Sequence, residues 1–266
     1  MCFIVFAYNC HPDYLLVMAA NRDEYHARPT SPAGFWKEDP GVLAGKDLEQ
    51  GGAWMGITRR GRLAALTNYR DPSSIKPGAP SRGNLVKDFL LSGVEPRAYL
   101  GKLDKKGESY NGFNLLLMDE GVMWYYSNRD KCPRKVSPGI HGLSNHLLDT
   151  PWHKVEKGKK ALDNIIRSSG HIQPDSLFKL LSDEKRAPDG DLPRTGVPLE
   201  WERLLSPVFI RSETYGTRSS TVLLVERRGR ITFCERSFGK NGLPSGKEVK
   251  YIFLQADADS QGKGGI

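Results

Sequence analysis

The sequence predicts an α+β protein, a four-layer αββα sandwich of two antiparallel sheets held between helices. Three observations carry that expectation. Strand-like runs come in pairs joined by short turns, near the N-terminus and again near the C-terminus. The helix-like segments are gathered between those pairs, an order that suits a layered α+β domain. The strand–helix–strand alternation of a parallel doubly wound sheet is missing. At 266 residues a single layered domain is the simplest count. No long linker divides the chain and no fixed-period repeat appears. The domain is expected over residues 1–256, with 257–266 as a polar, disordered tail.

In chain order, Cys2 opens the apolar run Phe3-Ile4-Val5-Phe6-Ala7-Tyr8, His11-Pro12-Asp13 signals a turn, and residues 14–20 return as a second apolar run. Two such runs joined by a short Pro/Asp turn predict an antiparallel hairpin. The polar quartet Asn21-Arg22-Asp23-Glu24 would then lie at the same end as Cys2. Residues 28–36, rich in Pro, Ser and Gly, are expected to be a loop over that end. Residues 53–58 and 63–68 form a second hairpin around Arg59-Arg60-Gly61-Arg62, and Gly51-Gly52 fits a tight turn better than a phosphate cradle. Ser81 is the expected N-cap of a helix through Leu85, Val86, Phe89 and Leu90 that stops at Gly93. A short helix at 97–105, ended by Gly107, precedes strands at 113–118 and 122–126 and a short strand reaching Ser144-Asn145. Thr150-Pro151 starts a helix running to about Arg167, with proline where its missing N–H leaves nothing unsatisfied. Pro174 opens another helix, residues 183–198 are loop, and strands return at 221–226, 231–235 and 249–254.

The net charge of +8 permits attraction to anionic partners, such as lipid headgroups, nucleotides or a propionate-bearing ligand. No nucleic-acid-binding motif accompanies it. The lysines Lys154, Lys157, Lys159 and Lys160 are expected on the solvated face of the helix whose apolar stripe is Trp152, Val155, Leu162, Ile165 and Ile166. Four cysteines, Cys2, Cys10, Cys132 and Cys234, lack paired spacing, so neither a zinc site nor a disulfide framework is expected. No apolar run approaches the roughly 18–20 residues of a membrane span, and a secretory signal and a myristoylation site are also missing. A soluble protein of a reducing compartment is the expectation.

If Met1 is removed, Cys2 presents a thiol and an α-amine on one residue. Such an amine titrates at roughly 7.7–8.0, so part of it is free base near neutrality. A thiol with its own amine as base, beside Arg22 and Asp23, is an activated-nucleophile arrangement. The alternative is a small buried hydrophobe beside a solvated loop.

Several motifs extend the pattern. Met1-Cys2, Ala19-Ala20-Asn21-Arg22-Asp23-Glu24 and Arg28-Pro29 resemble the signature of the NRDE family, also called the transport and Golgi organisation protein 2 family. The likeness takes in Gly51-Gly52-Ala53-Trp54-Met55-Gly56-Ile57, Leu63-Ala64-Ala65-Leu66-Thr67-Asn68-Tyr69 and Tyr110-Asn111-Gly112-Phe113-Asn114-Leu115. It continues through Gly142-Leu143-Ser144-Asn145, Thr150-Pro151-Trp152, Tyr215-Gly216-Thr217-Arg218 and Phe233-Cys234-Glu235-Arg236-Ser237. The resemblance implies an N-terminal-nucleophile (Ntn) hydrolase-like fold. It also implies an intracellular, cytoplasmic protein, associated with Golgi or mitochondria, that serves secretory-pathway organisation, lipid homeostasis and heme mobilisation. It requires no cofactor, and heme would enter as a noncovalent ligand, since no Cys-x-x-Cys-His motif is present.

At fewer positions the chain resembles the choloylglycine-hydrolase and penicillin-acylase branch of N-terminal cysteine hydrolases. That likeness implies Cys2 as nucleophile and Asp23 as holder of its amine. Asn68 and Asn145 would be the oxyanion-side asparagines, and Arg218 a late site arginine. Asn21, Arg22 and Glu24 would contact the ligand. In those acylases an arginine precedes the asparagine of the Asn-x-Asp element, whereas here Ala20 precedes it and Arg22 falls inside. Asn68 and Asn145 equally suit strand-end turns, and Arg218 a surface position. Two functions therefore stand from the sequence: a carrier of an amphipathic or anionic ligand, drawing on Cys2, His26 or tyrosine if that ligand is heme, and a cysteine amidohydrolase.

Overall fold

Strand β1 (Cys2–Tyr8) and the first part of β2 (Tyr14–Tyr25), up to Ala20, are apolar on both faces because each face meets a different core. Ile4, Phe6, Leu16 and Met18 enter one cluster, while Phe3, Val5, Val17 and Ala19 enter another. In this computed structural model, which describes residues 2–168 and 170–256, the strands β10 (Gly139–Leu143), β11 (Tyr215–Glu226), β12 (Arg230–Ser237) and β13 (Val249–Leu254) complete a six-stranded sheet. Its order is β10-β1-β2-β11-β12-β13, antiparallel throughout. The central pair, β2 and β11, joins strands nearly 200 residues apart in sequence, with Ser220 opposite Asn21.

The second sheet has seven strands in sequence order, β3 (Thr30–Phe35), β4 (Val42–Asp47), β5 (Met55–Thr58), β6 (Leu63–Asn68), β7 (Phe113–Asp119), β8 (Val122–Ser127) and β9 (Arg134–Lys135). Face to face, the two sheets bury Phe6, Met18, Ile57, Leu116, Tyr125 and Phe233. Helices α1 (Gly83–Leu91) and α2 (Pro96–Asp104) cover the outer face of the seven-stranded sheet through Phe89, Leu90 and Leu100. Helices α3 (His153–Ser168) and α4 (Pro174–Leu181) cover the six-stranded sheet through Leu162, Leu177 and Leu181. The result is the four-layer α+β sandwich the sequence predicts. The tail at 257–266 lies outside the described residues.

Several local expectations are corrected by the structure. Residues 30–35, expected as loop, form β3 against β4, with the register shifting between Ser31 and Gly34. Pro32 falls at that irregularity on an edge strand, where its missing N–H breaks no ladder bond. Ser81 does not cap α1. The helix starts at Gly83 behind Arg82 with no side-chain cap, because Gly52 sits against its first turn and Ala53 donates to Gly83 O at 3.1 Å. Gly51 does serve the turn, at φ 69°. The helix expected from Thr150-Pro151 begins two residues beyond Pro151, at His153. A fifth helix, α5 (Leu199–Leu205), follows the expected 183–198 loop. No helix among the described residues is long and apolar enough to cross a membrane.

Candidate functional site

The register of the first hairpin builds the site. Cys2 lies opposite Arg22, and Phe3 opposite Asn21. With side chains alternating between faces, Cys2, Arg22 and Glu24 share the side that looks toward the second sheet, while Asn21 and Asp23 look toward the helices. Asp23 is also the β2 residue that passes the start of β1, where the α-amine of Cys2 would stand without Met1.

Cys2 lines a cleft of about 260 Å³, with Arg22, Glu24, Trp54, Asn68 and Arg82 among the other lining residues. Arg22 is 6% exposed. Its guanidinium lies over the Trp54 ring at 4.4 Å from the centroid and donates to Thr30 Oγ1 at 3.2 Å. Neither Arg22 nor Arg82 forms an ion pair with a carboxylate among the described residues, and Arg82 donates to Gly112 O at 2.9 Å. Arg28, on the rim, is paired with Asp47 at 2.8 Å. Burial pushes the Cys2 thiol above its ordinary value, with Asp23 adding to the rise and Arg22 opposing it. Cys2 is the single thiol of the lining, which holds neither histidine nor tyrosine among the described residues. His26 lies elsewhere, with Nε2 3.1 Å from Ser212 O.

The expected site residues fall into two groups. Cys2, Arg22, Asp23, Glu24 and Asn68 all line the cleft. Asn145, Asn21 and Arg218 are not among its lining residues, and each is engaged in holding the framework. Asn145 is fully buried and donates Nδ2 to Asn68 O at 2.9 Å, so it fixes the strand end that presents Asn68. Asn21 uses both N–H groups of its amide on Leu181 O and Val208 O, each at 2.9 Å, and accepts from Ser220 Oγ at 2.6 Å. Arg218 occupies the bulge where β11 slips against β2. It donates to Tyr25 O at 2.9 Å and Arg28 O at 3.0 Å, clasping the turn that follows the Asn-Arg-Asp-Glu run.

Asp23 anchors a second, buried polar group on the helix side. Thr217 Oγ1 donates to its Oδ1 at 2.8 Å, and Tyr215 Oη donates to its backbone oxygen at 3.0 Å. Burial pushes its carboxyl up, and the Lys154 charge is the largest influence opposing that rise. Behind it Arg70 and Glu202 form an ion pair at 2.7 Å, with side chains 5% and 4% exposed. Lys154 itself is 3% exposed, which corrects the expectation that it belongs to a solvated face. Its position could have been read from spacing, since Lys154, Gly158 and Leu162 form one row at four-residue intervals on the packed face of α3. Arg70 and Glu202 carry no such signal, because a loop after β6 and the unexpected helix α5 bring them together. Among the described residues no three His, Cys, Asp or Glu side chains are grouped to hold a metal ion.

Comparison with known proteins gives consistent relatives. The family described as Transport and Golgi organisation 2 matches residues 1–240. The Mus musculus Transport and Golgi organization 2 homolog is 38% identical over 257 residues, covering 89% of this chain and 93% of that one. The Homo sapiens homolog is 37% identical over 273 residues, covering 95% and 99%. The Drosophila melanogaster Transport and Golgi organization protein 2 is 30% identical over 267 residues, covering 89% and 92%. Among solved structures, the Caenorhabditis elegans N-acylethanolamine-hydrolyzing acid amidase ortholog aligns over 84% of this chain and 92% of that one, at 10% identity and a TM-score of 0.41. A likeness that distant bears on neither substrate nor chemistry.

Proposed function

The chain belongs to the transport and Golgi organisation 2 family, and from that membership we propose that its cleft receives an amphipathic anion, the ligand class of heme propionates and fatty-acyl carboxylates. Handling such a ligand would be its part in heme mobilisation and in lipid or secretory-pathway homeostasis, carried out in the cytoplasm at the surface of Golgi or mitochondria. One observation carries the reading: Arg22 is a buried guanidinium stacked on Trp54 with no carboxylate paired to it among the described residues. A buried cation without a counter-charge is strongly unfavourable, and a ligand carboxylate would supply that counter-charge in the two-pronged geometry arginine favours. At about 260 Å³ the cleft sits just below the roughly 300–1,000 Å³ of sites that enclose a drug-sized ligand. It therefore suits the polar end of a larger molecule. Among the described residues of the lining Cys2 is the one heme-iron ligand type, and burial holds it as a thiol, so recognition would rest on the acidic groups.

Titration with hemin and with a long-chain fatty acid tests this. Arg22→Met and Arg82→Met should each weaken binding by about tenfold or more, the scale of one lost charge-assisted contact. Wild-type affinity in both variants would remove the basis of the proposal.

A second reading, an N-terminal cysteine amidohydrolase acting on a non-peptide C–N amide bond, is favoured by a separate observation. Cys2 and Asn68 line the same cleft, and Asp23 passes the position of the Cys2 amine. With Met1 removed, the amine would take the thiol proton as sulfur attacks the amide carbon. Asn68 Nδ2 would steady the oxyanion, and the ammonium would return the proton to the departing amine. Water would then hydrolyse the thioester and release the acid and the free thiol. Intact mass measurement of the protein from its own host tests the premise, because retained Met1 leaves no base. Turnover surviving Cys2→Ala would refute the mechanism.

A further inference from the structure

A recess of about 280 Å³ lies on the helix side of the six-stranded sheet and shares no lining residue with the cleft that holds Cys2. Ser220 of β11 and Arg236 of β12 meet it from the sheet, and Phe178 meets it from α4. Phe209, with Phe238 and Pro244 after β12, closes its sides. Phe178 and Phe209 are each 4% exposed, and Phe238 is half-buried. The rings of Phe209 and Phe238 meet edge to face, with centroids 5.0 Å apart at 89°. Backbone bonds fix both residues, Phe209 N donating to Asp183 O and Phe238 N to Arg218 O, each at 2.8 Å. The walls therefore stand in place before anything enters, which lowers the ordering cost of binding.

Charge at the rim is already paired. Arg211 grips Glu184 through Nε at 3.0 Å and Nη2 at 2.6 Å, and its Nη1 donates to Asn241 O at 2.9 Å. Arg236 lies over the Phe178 ring at 3.9 Å from the centroid and donates to Glu248 and Asp175, both at 2.6 Å. An anion entering here would meet guanidiniums that already hold carboxylates, unlike Arg22, which has none paired to it among the described residues. At the floor Ser220 is 2% exposed, and its hydroxyl hydrogen is committed to Asn21 Oδ1 at 2.6 Å. Gly242, at φ 67°, completes the wall, since a Cβ there would lie 2.8 Å from the Phe209 ring. An apolar cavity of about 150 Å³ takes up benzene, so a recess of about 280 Å³ has room for one or two fused rings.

We propose that this recess is a second ligand site, which takes a small uncharged aromatic molecule of one or two fused rings against Phe209 and Phe238. Aromatic rings gain from edge-to-face and offset contacts beyond the area they bury, and an uncharged ring leaves the rim ion pairs intact. The site is independent of the reading given to the Cys2 cleft.

The test is calorimetric titration of the full chain near neutral pH with naphthol, with naphthoate, which adds an anion to the same rings, and with octanol, a flexible chain. Naphthol should bind about tenfold or more tightly than either. The naphthoate carboxylate would lose water beside charges that are already paired, and the octyl chain gives up rotor freedom on binding. Phe238→Ala removes one wall and should weaken naphthol by about tenfold. Gly242→Ala sets a methyl against Phe209 and should weaken it by a similar factor. If Gly242→Ala does not fold, Phe238→Ala decides alone. Wild-type naphthol affinity in the folded variants overturns the proposal, as does naphthoate or octanol binding as tightly as naphthol, or no binding of naphthol at all. Loss of naphthol binding in Arg22→Met would place the probe in the Cys2 cleft and overturn it too, whereas retained binding there supports it.

Discussion

Replacing Glu235 by glutamine should stabilise the protein at mildly alkaline pH and change little in acid. Glu235 on β12 is 1% exposed and faces the space between the sheets. Its carboxyl accepts from Ala33 N at 2.7 Å and from Thr221 Oγ1 at 3.2 Å. Burial pushes it from 4.5 up to about 7, against the pull of those hydrogen bonds and of the Arg22 charge. Because the folded value lies above the unfolded one, the folded state favours the neutral acid. The stability from that preference is fully present below pH 4.5 and is lost as pH rises through about 7. A rise from 4.5 to about 7, at about 1.4 kcal/mol per unit, amounts to on the order of 3 kcal/mol. Glutamine keeps the acceptor for Ala33 and turns the second contact into a donor to Thr221, without a charge to bury. Thermal unfolding of both proteins at about pH 5 and about pH 8 is the assay, and Glu235→Gln should melt roughly 5–10 °C higher in the alkaline sample alone. A gap independent of pH, or a variant that melts lower at both, would refute the reasoning. The result also bears on the cleft, because Ala33 belongs to β3, the strand that supplies Thr30 to Arg22.

Three further outcomes follow from the same packing. Glu202→Ala removes the carboxylate held at 2.7 Å from Arg70 in a pair about 5% exposed, and urea unfolding should register a loss of about 3–5 kcal/mol. A loss below about 1 kcal/mol would mean the pair behaves like a surface bridge. Gly158→Ala forces a methyl against the Phe3 ring and should cost about 1–3 kcal/mol by overpacking. Adding Phe3→Leu should recover part of that stability, and strict additivity of the two changes would speak against the contact. Asn21→Asp sets a carboxylate against the carbonyls of Leu181 and Val208. It should lower the melting temperature while leaving hemin affinity of the folded protein unchanged, and a selective loss of affinity would return Asn21 to the ligand site.

Much of this protein was legible without coordinates. The two apolar runs and their turn predicted the first hairpin and put the Asn21-Arg22-Asp23-Glu24 run at the end where Cys2 lies, while the register that sets Arg22 opposite Cys2 came from the structure. Strands gathered around a helical middle gave the sandwich, and the motif order identified the family. Local pattern was enough there because both partners of each interaction lie close in sequence. It could not decide the burial of charge. Lys154, Glu235, Arg70 and Glu202 look like ordinary solvated residues in the sequence, and Pro32 argues for loop. Only the tertiary structure closes α3 over β1, lays β3 beside β12 and brings α5 to the loop after β6. Those contacts join segments far apart in the chain, and burial, which sets the ionisation of a carboxyl or an ammonium, is a property of everything packed around the group rather than of its neighbours in sequence.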